Sequence, residues 1–192
     1  TFLDLDVPPT LISFAIAPIK AHEVLSPEFK EAGHPVYLFG AADASADSLK
    51  KTWEGFHELC QAGKVKAAWA VENGIGEAVM KMSFGNMIGA EFADVDLQEL
   101  FGNCYGSFLL EMAEGEVGLV IGETTAVPVL RMGSESIALD KLLQTYEDKL
   151  EDVFPCNIPD VDTPIELVSF HAETCKAPAV KVAKPKVLMA TL

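Results

Sequence analysis

The chain has 192 residues, 49% hydrophobic and 22% charged, which is enough apolar side chain for a core and fits one domain with extensions. Its 29 acidic and 14 basic residues leave a formal charge of -15, which argues against a nucleic-acid surface and against anionic membranes, since both need clustered Lys and Arg. No apolar run approaches the ~18 residues of a bilayer span, and TFLDLDVPPT lacks the basic n-region of a signal peptide.

In chain order, residues 1–9 read as an acidic, extended lead-in. TLISFAIAP, 10–18, is β-branched and apolar on both faces, the pattern of a buried strand. EVLSPEFKEAG carries Pro27 and Gly33 and reads as a loop. HPVYLFGAA, 34–42, is a second strand. Ser45 then opens a helix that places Leu49, Trp53, Phe56 and Cys60 on one face and stops at Gly63. KVKAAWAV, 64–71, is a strand that enters the turn Asn73-Gly74-Ile75-Gly76. A helix follows, marked by Ala78, Val79, Met82 and Phe84 and ending near Gly85-Asn86. MIGAEFADV, 87–95, alternates like a half-buried strand. Asp96-Leu-Gln-Glu99 has the form of a capping box and opens a short helix closed at Gly102.

YGSFLLEMAEG and VGLVIGETTAV read as a strand pair around Glu114-Gly115-Glu116. A short strand through PVLRMG comes next. A long amphipathic helix then runs through Leu139, Leu142, Leu143, Tyr146, Leu150 and Val153 to Pro155. The resulting class is α+β, a mixed β-sheet with helices packed on one face. After a domain over 10–156, residues 157–185 read as a linker rich in Ala, Lys, Pro and Val. Residues 186–192, KVLMATL, read as the first strand of a following domain. With Thr1 and no Met at the start, the chain is expected to be an excised fragment.

Cys60, Cys104, Cys156 and Cys175 form no C-x-x-C pair and have no metal-ligand spacing with His22, His34, His57 or His171. They read as reduced thiols of a cytoplasmic protein, without a metal site. Asp4 with Asp6, and Asp94 with Asp96, read as solvated loop acids rather than magnesium ligands. His171 and Cys175 lack a third group to orient them as a catalytic pair. Met80, Met82 and Met87 around Phe84 read as core filler.

The turn at 73–76 is the one place with the topology of a phosphate site, because unpaired N–H groups at a helix start can face an anion. Its chemistry is depleted. Val79 stands where a dinucleotide fingerprint needs its third glycine, and Glu77-Ala78 stands where a P-loop needs Lys and a hydroxyl. Glu72 and Glu77 repel phosphate. Asn73, Gly74, Ile75 and Gly76 are therefore candidates only for a degenerate phosphate turn. The competing reading is a positive-φ reversal with Glu77 favouring the helix start.

GKVKAAWAVENGIGEAVMKMSFGNMIGAEF resembles the C-terminal-type domain of the aminoimidazole ribonucleotide synthetase superfamily. It is similar in particular to the second such domain of the large phosphoribosylformylglycinamidine synthases. PPTLISFAIAPIKAHEVLSPEFKEAGHPVYLFG resembles the opening of that domain, and VGLVIGETT and SIALDKLLQTYEDKLEDVFP resemble its close. KPKVLMATL resembles the lead-in to the glutaminase that follows. The resemblance implies a piece of an ATP- and glutamine-dependent enzyme of purine biosynthesis that converts formylglycinamide ribonucleotide to formylglycinamidine ribonucleotide. Its partners would be the other synthetase-like domains and the glutaminase of the same polypeptide. ATP and Mg²⁺ would belong to the parent enzyme, with none held by the isolated domain. Many relatives carry a His-Asp-x-Ser-Asp-Gly-Gly-like run at the turn and a Gly-Gly-Ser run after the second strand. Here Ala68-Trp69-Ala70-Val71-Glu72-Asn73-Gly74-Ile75 and LFGAADASADS stand there. The loss implies a structural or ligand-supporting role without catalysis. A self-contained synthetase of the same superfamily and an acidic interaction module are the alternatives.

Overall fold

The computed structural model describes residues 11–41, 43–153, 155, 168, 169, 171 and 174. The chain divides into two units, Thr1–Cys156 and Asn157–Leu192, and the sheet and its helices belong to the first. The lead-in over 1–9, the strand start over 186–192 and, apart from four residues, the linker over 157–185 lie outside the described residues.

Seven strands and four α-helices occur among the described residues, after a 3-10 turn at Ala21–Glu23: β1 (Pro35–Phe39), α1 (Ala46–Gln61), β2 (Val65–Ala70), α2 (Ile75–Phe84), β3 (Gly89–Phe92), α3 (Leu97–Phe101), β4 (Phe108–Met112), β5 (Leu119–Thr125), β6 (Val129–Met132), β7 (Glu135–Ala138) and α4 (Leu139–Asp148). They form one sheet in the order β2-β4-β1-β5-β3-β6-β7. β3 and β6 run parallel and every other pair is antiparallel. The class is α+β with a mixed sheet, as the sequence implies.

Local chemistry explains the element ends. Ser45 Oγ accepts from the Ser48 N–H at 3.3 Å and caps α1, while Asp43 Oδ1 accepts from the Ser45 N–H at 2.8 Å. Gly63, at φ 68°, lets the chain leave α1.

Four readings of individual elements change. β4 and β5 are not a hairpin, because β1 lies between them and pairs with both. The connection over 113–118 is long enough to cross one strand, so adjacency in sequence does not become adjacency in the sheet. Residues 11–20 form no strand; Leu11 is 97% exposed and Phe14 86%. Their β-branched composition satisfies the local preference, but no strand among the described residues covers them. α4 ends at Asp148, short of Pro155, leaving Leu150 and Val153 exposed. β7 is an additional strand, paired with β6 across Gly133-Ser134.

Strand alternation splits the apolar residues between two faces. On the first, Val36, Ala67, Leu109, Ile121 and Ala90 pack with Ala78, Val79 and Met82 of α2 and with Leu139 at the start of α4. On the second, Tyr37, Val65, Leu110 and Met112 pack under Phe56, Leu59 and Cys60 of α1. The Phe56 and Phe108 rings stack there with centroids 4.0 Å apart. Helices therefore share one face for α2 and α4, as expected, whereas α1 covers the other.

The most constrained polar group lies on the first face. Glu111 of β4 is fully buried. Its carboxylate accepts from the Lys30 N–H at 2.7 Å, from the Glu31 N–H at 3.1 Å and from His34 Nδ1 at 2.7 Å. Beside it, the buried Thr124 hydroxyl accepts from the His34 N–H at 2.9 Å and donates to the Glu31 carbonyl at 2.7 Å. These bonds fasten the loop over 26–34 to β4 and β5. The same loop reaches the end of α2, where the Phe29 N–H donates to the Met82 carbonyl at 2.9 Å and Asn86 Nδ2 donates to the Phe29 carbonyl at 2.7 Å.

Removing charge from a buried, multiply bonded carboxylate strands its donors. Glu111→Gln is expected to lower unfolding free energy by about 3 kcal/mol, read as an earlier denaturant midpoint at unchanged slope. A loss below ~0.5 kcal/mol would remove Glu111 from this role. Ser83 Oγ is buried on α2 with no hydrogen-bond partner among the described residues. Ser83→Ala should accordingly raise stability by about 1 kcal/mol in the same assay.

Candidate functional site

β2 delivers the chain to the turn, where the Val71 N–H donates to the Ser107 carbonyl at 2.9 Å. Glu72 and Asn73 are exposed, and Gly74 is buried at φ 100°, a backbone conformation that a side chain resists. Ile75 starts α2 and sinks into the core beside Val71, Ala78 and Val79. Gly76 is half-buried one residue further on.

α3 lies against this turn. A Cβ on Gly74 would stand 2.7 Å from the Leu100 carbonyl oxygen and 3.0 Å from Phe101 Cα; one on Gly76 would stand 3.2 Å from Leu100 Cγ. Both glycines thus admit a neighbouring helix to the backbone. The first atom such a Cβ on Gly74 would meet is a carbonyl oxygen, whose partial negative charge opposes an anion on that side of the glycine.

The helix start is also served by its own acid. Glu77 Oε1 lies 2.7 Å from Lys81 Nζ one turn along. The Lys81 ammonium holds the Glu77 carboxyl below its ordinary value; partial burial opposes this, and hydrogen bonds from the Asn73 side chain and backbone add to it. Reciprocally, Glu77 raises Lys81. The Lys81 ammonium lies 5.6 Å from the ring centroids of both Trp69 and Tyr146, within cation–π range. The cation of this turn is therefore already engaged.

Asn73, Gly76 and Glu77 line a cavity of about 580 Å³, bounded by Met80, Phe92, Leu100, Leu130, Ile137 and Leu142. Its wall is apolar, with Arg131 and Glu135 also lining it. Ile75 contributes instead to a second cavity of about 400 Å³, with Asp96, Gln98 and Asn103. The four turn residues are contiguous, but they do not converge on one space.

Other sequence candidates stay apart. Asp94, Asp96, His57 and His171 are exposed. Cys60 and Cys104 are half-buried, and burial pushes the Cys60 thiol up. Cys104 Sγ lies 3.7 Å from the Gly102 carbonyl. Asp4, Asp6, Cys156 and Cys175 lie outside the described residues. Among the described residues, no three His, Cys, Asp or Glu side chains gather where they could hold a metal ion. The Glu111–His34–Thr124 cluster went unread in the sequence, although one charged residue inside the otherwise apolar FLLEM run is a signal for it.

No protein-family model and no curated protein matches the chain. Solved structures do. A Thermotoga maritima PurL structure complexed with FGAR is 14% identical, with a TM-score of 0.55 over 79% of this chain and 33% of that one. A phosphoribosylformylglycinamidine synthase II structure from Thermotoga maritima is 15% identical, with a TM-score of 0.53 over 80% and 31%. A Thermotoga maritima PurL structure complexed with ADP is 16% identical, with a TM-score of 0.54 over 78% and 30%. The fold is the one found in these PurL structures. This chain spans about a third of their length. Among the described residues, no helix is long and apolar enough to cross a membrane.

Two outcomes test the turn. Gly74→Ala should cost about 2 kcal/mol or more, because positive φ and a backbone clash combine, while Gly76→Ala should stay within about 0.5 kcal/mol, because Leu100 can yield and helix propensity improves. Chemical denaturation separates the two. Because Glu77 is lowered in the fold, its stabilisation is complete above the ordinary value of 4.5 and fades as pH falls through the lower folded value. The stability gap between wild type and Glu77→Gln should therefore narrow on acidification; a gap that widens contradicts the assignment.

Proposed function

We propose that this chain is a non-catalytic domain of a phosphoribosylformylglycinamidine synthase-like enzyme, belonging to the second synthetase-like half of the large form. In that enzyme, formylglycinamide ribonucleotide, glutamine and ATP with Mg²⁺ would be handled by sites formed between domains, in the cytoplasm. This domain completes one half and supports the synthetase-like domains and the glutaminase beside it. The reading is supported by a fold matching about a third of the PurL chains. The observation that carries the non-catalytic part is the glycine turn, where the Leu100 carbonyl and the Glu77–Lys81 pair stand in place of an anion cradle.

A docking role also agrees with the second sheet face. α1 covers its β2-β4-β1 side. Glu91, Glu123 and Arg131 remain exposed on the β5-β3-β6 side, with Val120 48% exposed. Glu91 sits opposite Glu123 on β5 and opposite Arg131 on β6. Two like charges facing across strands are unfavourable alone, and a basic neighbouring domain would relieve them.

Isothermal titration of the chain with Mg·ATP and Mg·ADP should give no submillimolar binding. An assay supplying formylglycinamide ribonucleotide, glutamine and ATP should give no turnover. Submillimolar nucleotide binding overturns the depleted-site reading; turnover by the chain alone establishes the self-contained synthetase instead.

A further inference from the structure

The chain's longest run without a charged residue is 7–19, and its described part is exposed. Extended, Leu11–Ala17 would place Ile12, Phe14 and Ile16 on one side and Leu11, Ser13, Ala15 and Ala17 on the other. Leu11, Phe14 and Ile16 are almost wholly solvent-facing. No backbone hydrogen bond links this stretch to other described residues. An uncharged, β-prone stretch with both backbone edges open is a strand without a neighbour.

A matching acceptor exists elsewhere on the fold. Among the described residues, β7 is the last strand in the sheet order and is bonded only to β6, and all four of its residues are exposed. Beside it opens the 580 Å³ apolar cavity, lined by Leu130 and its cross-strand partner Ile137 together with Met80, Phe92 and Leu142. A strand laid along β7, about 4.8 Å away, would bring one of its two faces over this cavity. The side carrying Ile12, Phe14 and Ile16 has the bulk to fill it.

Charge narrows the occupant. With a net charge of -15, most of this chain is repelled by a second copy, and Glu77 and Glu135 line the cavity. The uncharged 7–19 stretch escapes that repulsion. A two-fold exchange would cover both arms and both cavities at once. We infer that Leu11–Ala17 of one chain adds as a strand to β7 of a second copy and seats Ile12, Phe14 and Ile16 in the cavity there. This inference is independent of the reading as a synthase domain.

Sedimentation velocity on the full chain tests it, across protein concentration at low and high salt. The expected result is a reversible dimer that tightens with salt, because screening weakens repulsion between like-charged copies. Phe14→Asp and Ile137→Asp should each raise the dimer Kd about tenfold or more. An equal mixture of the two variants should recover a heterodimer, since one arm and one edge remain intact. Phe14 is exposed, so its variant should keep the wild-type circular dichroism spectrum. A chain that stays monomeric at every concentration overturns the inference. So does a dimer that neither variant weakens, and so does a monomer whose melting temperature falls with Phe14→Asp, since the arm would then lie on its own chain.

Discussion

A carboxylate with no exposed surface ties the first loop of this fold to its sheet. Glu111 sits on β4, one strand from the edge, and gathers two backbone N–H groups and an imidazole from the loop over 26–34. A charge buried this deeply is tolerable only when its lone pairs are filled, and here the loop fills them. That requirement fixes where the loop sits. His34 is followed directly by β1, so the loop that serves Glu111 also delivers β1 alongside β4. Thr124 completes the arrangement from β5, on the other side of β1. The strand order β4-β1-β5 thus has a polar lock at one end, and α2 is joined to it through Phe29.

Similar chemistry recurs at the turn into α2. Glu77 answers Lys81 and Asn73, and the Leu100 carbonyl lies against Gly74. In both places an acidic side chain attends to groups of the chain itself rather than to a ligand. An excess of acid on a chain is usually a statement about solubility and association. Here Glu111, within β4, and Glu77, in the first turn of α2, have specific structural partners. A turn already packed by a helix and served by its own carboxylate is held in place by the chain itself.

The sequence carried the local elements well. Helical spacing of Leu49, Trp53, Phe56 and Cys60 marked α1, and Ser45 and Gly63 marked its ends, because caps and amphipathic faces are written in adjacent residues. The glycine turn was legible as a strand-to-helix reversal. What escaped was non-local. Nothing near 113–118 signals that β1 enters between β4 and β5; that depends on pairing across about eighty residues. TLISFAIAP has the composition of a buried strand, yet composition does not supply a neighbouring strand. The reason for Gly74, close approach by Leu100, is invisible until α3 is placed. Glu111 and His34 are 77 residues apart, and only a lone acid in FLLEM hints at their meeting.

The central claim is that the turn is already packed by α3 and served by the Glu77–Lys81 pair, which leaves no cradle for an anion. Backbone amide NMR of the 73–78 region during titration with inorganic pyrophosphate tests it most directly, because that probe carries the charge of a nucleotide tail without its base. The account predicts that these resonances do not move in the wild-type chain beyond the general effect of ionic strength. Saturable shifts confined to residues 74–78 would show an anion seated at the helix start, and would contradict it.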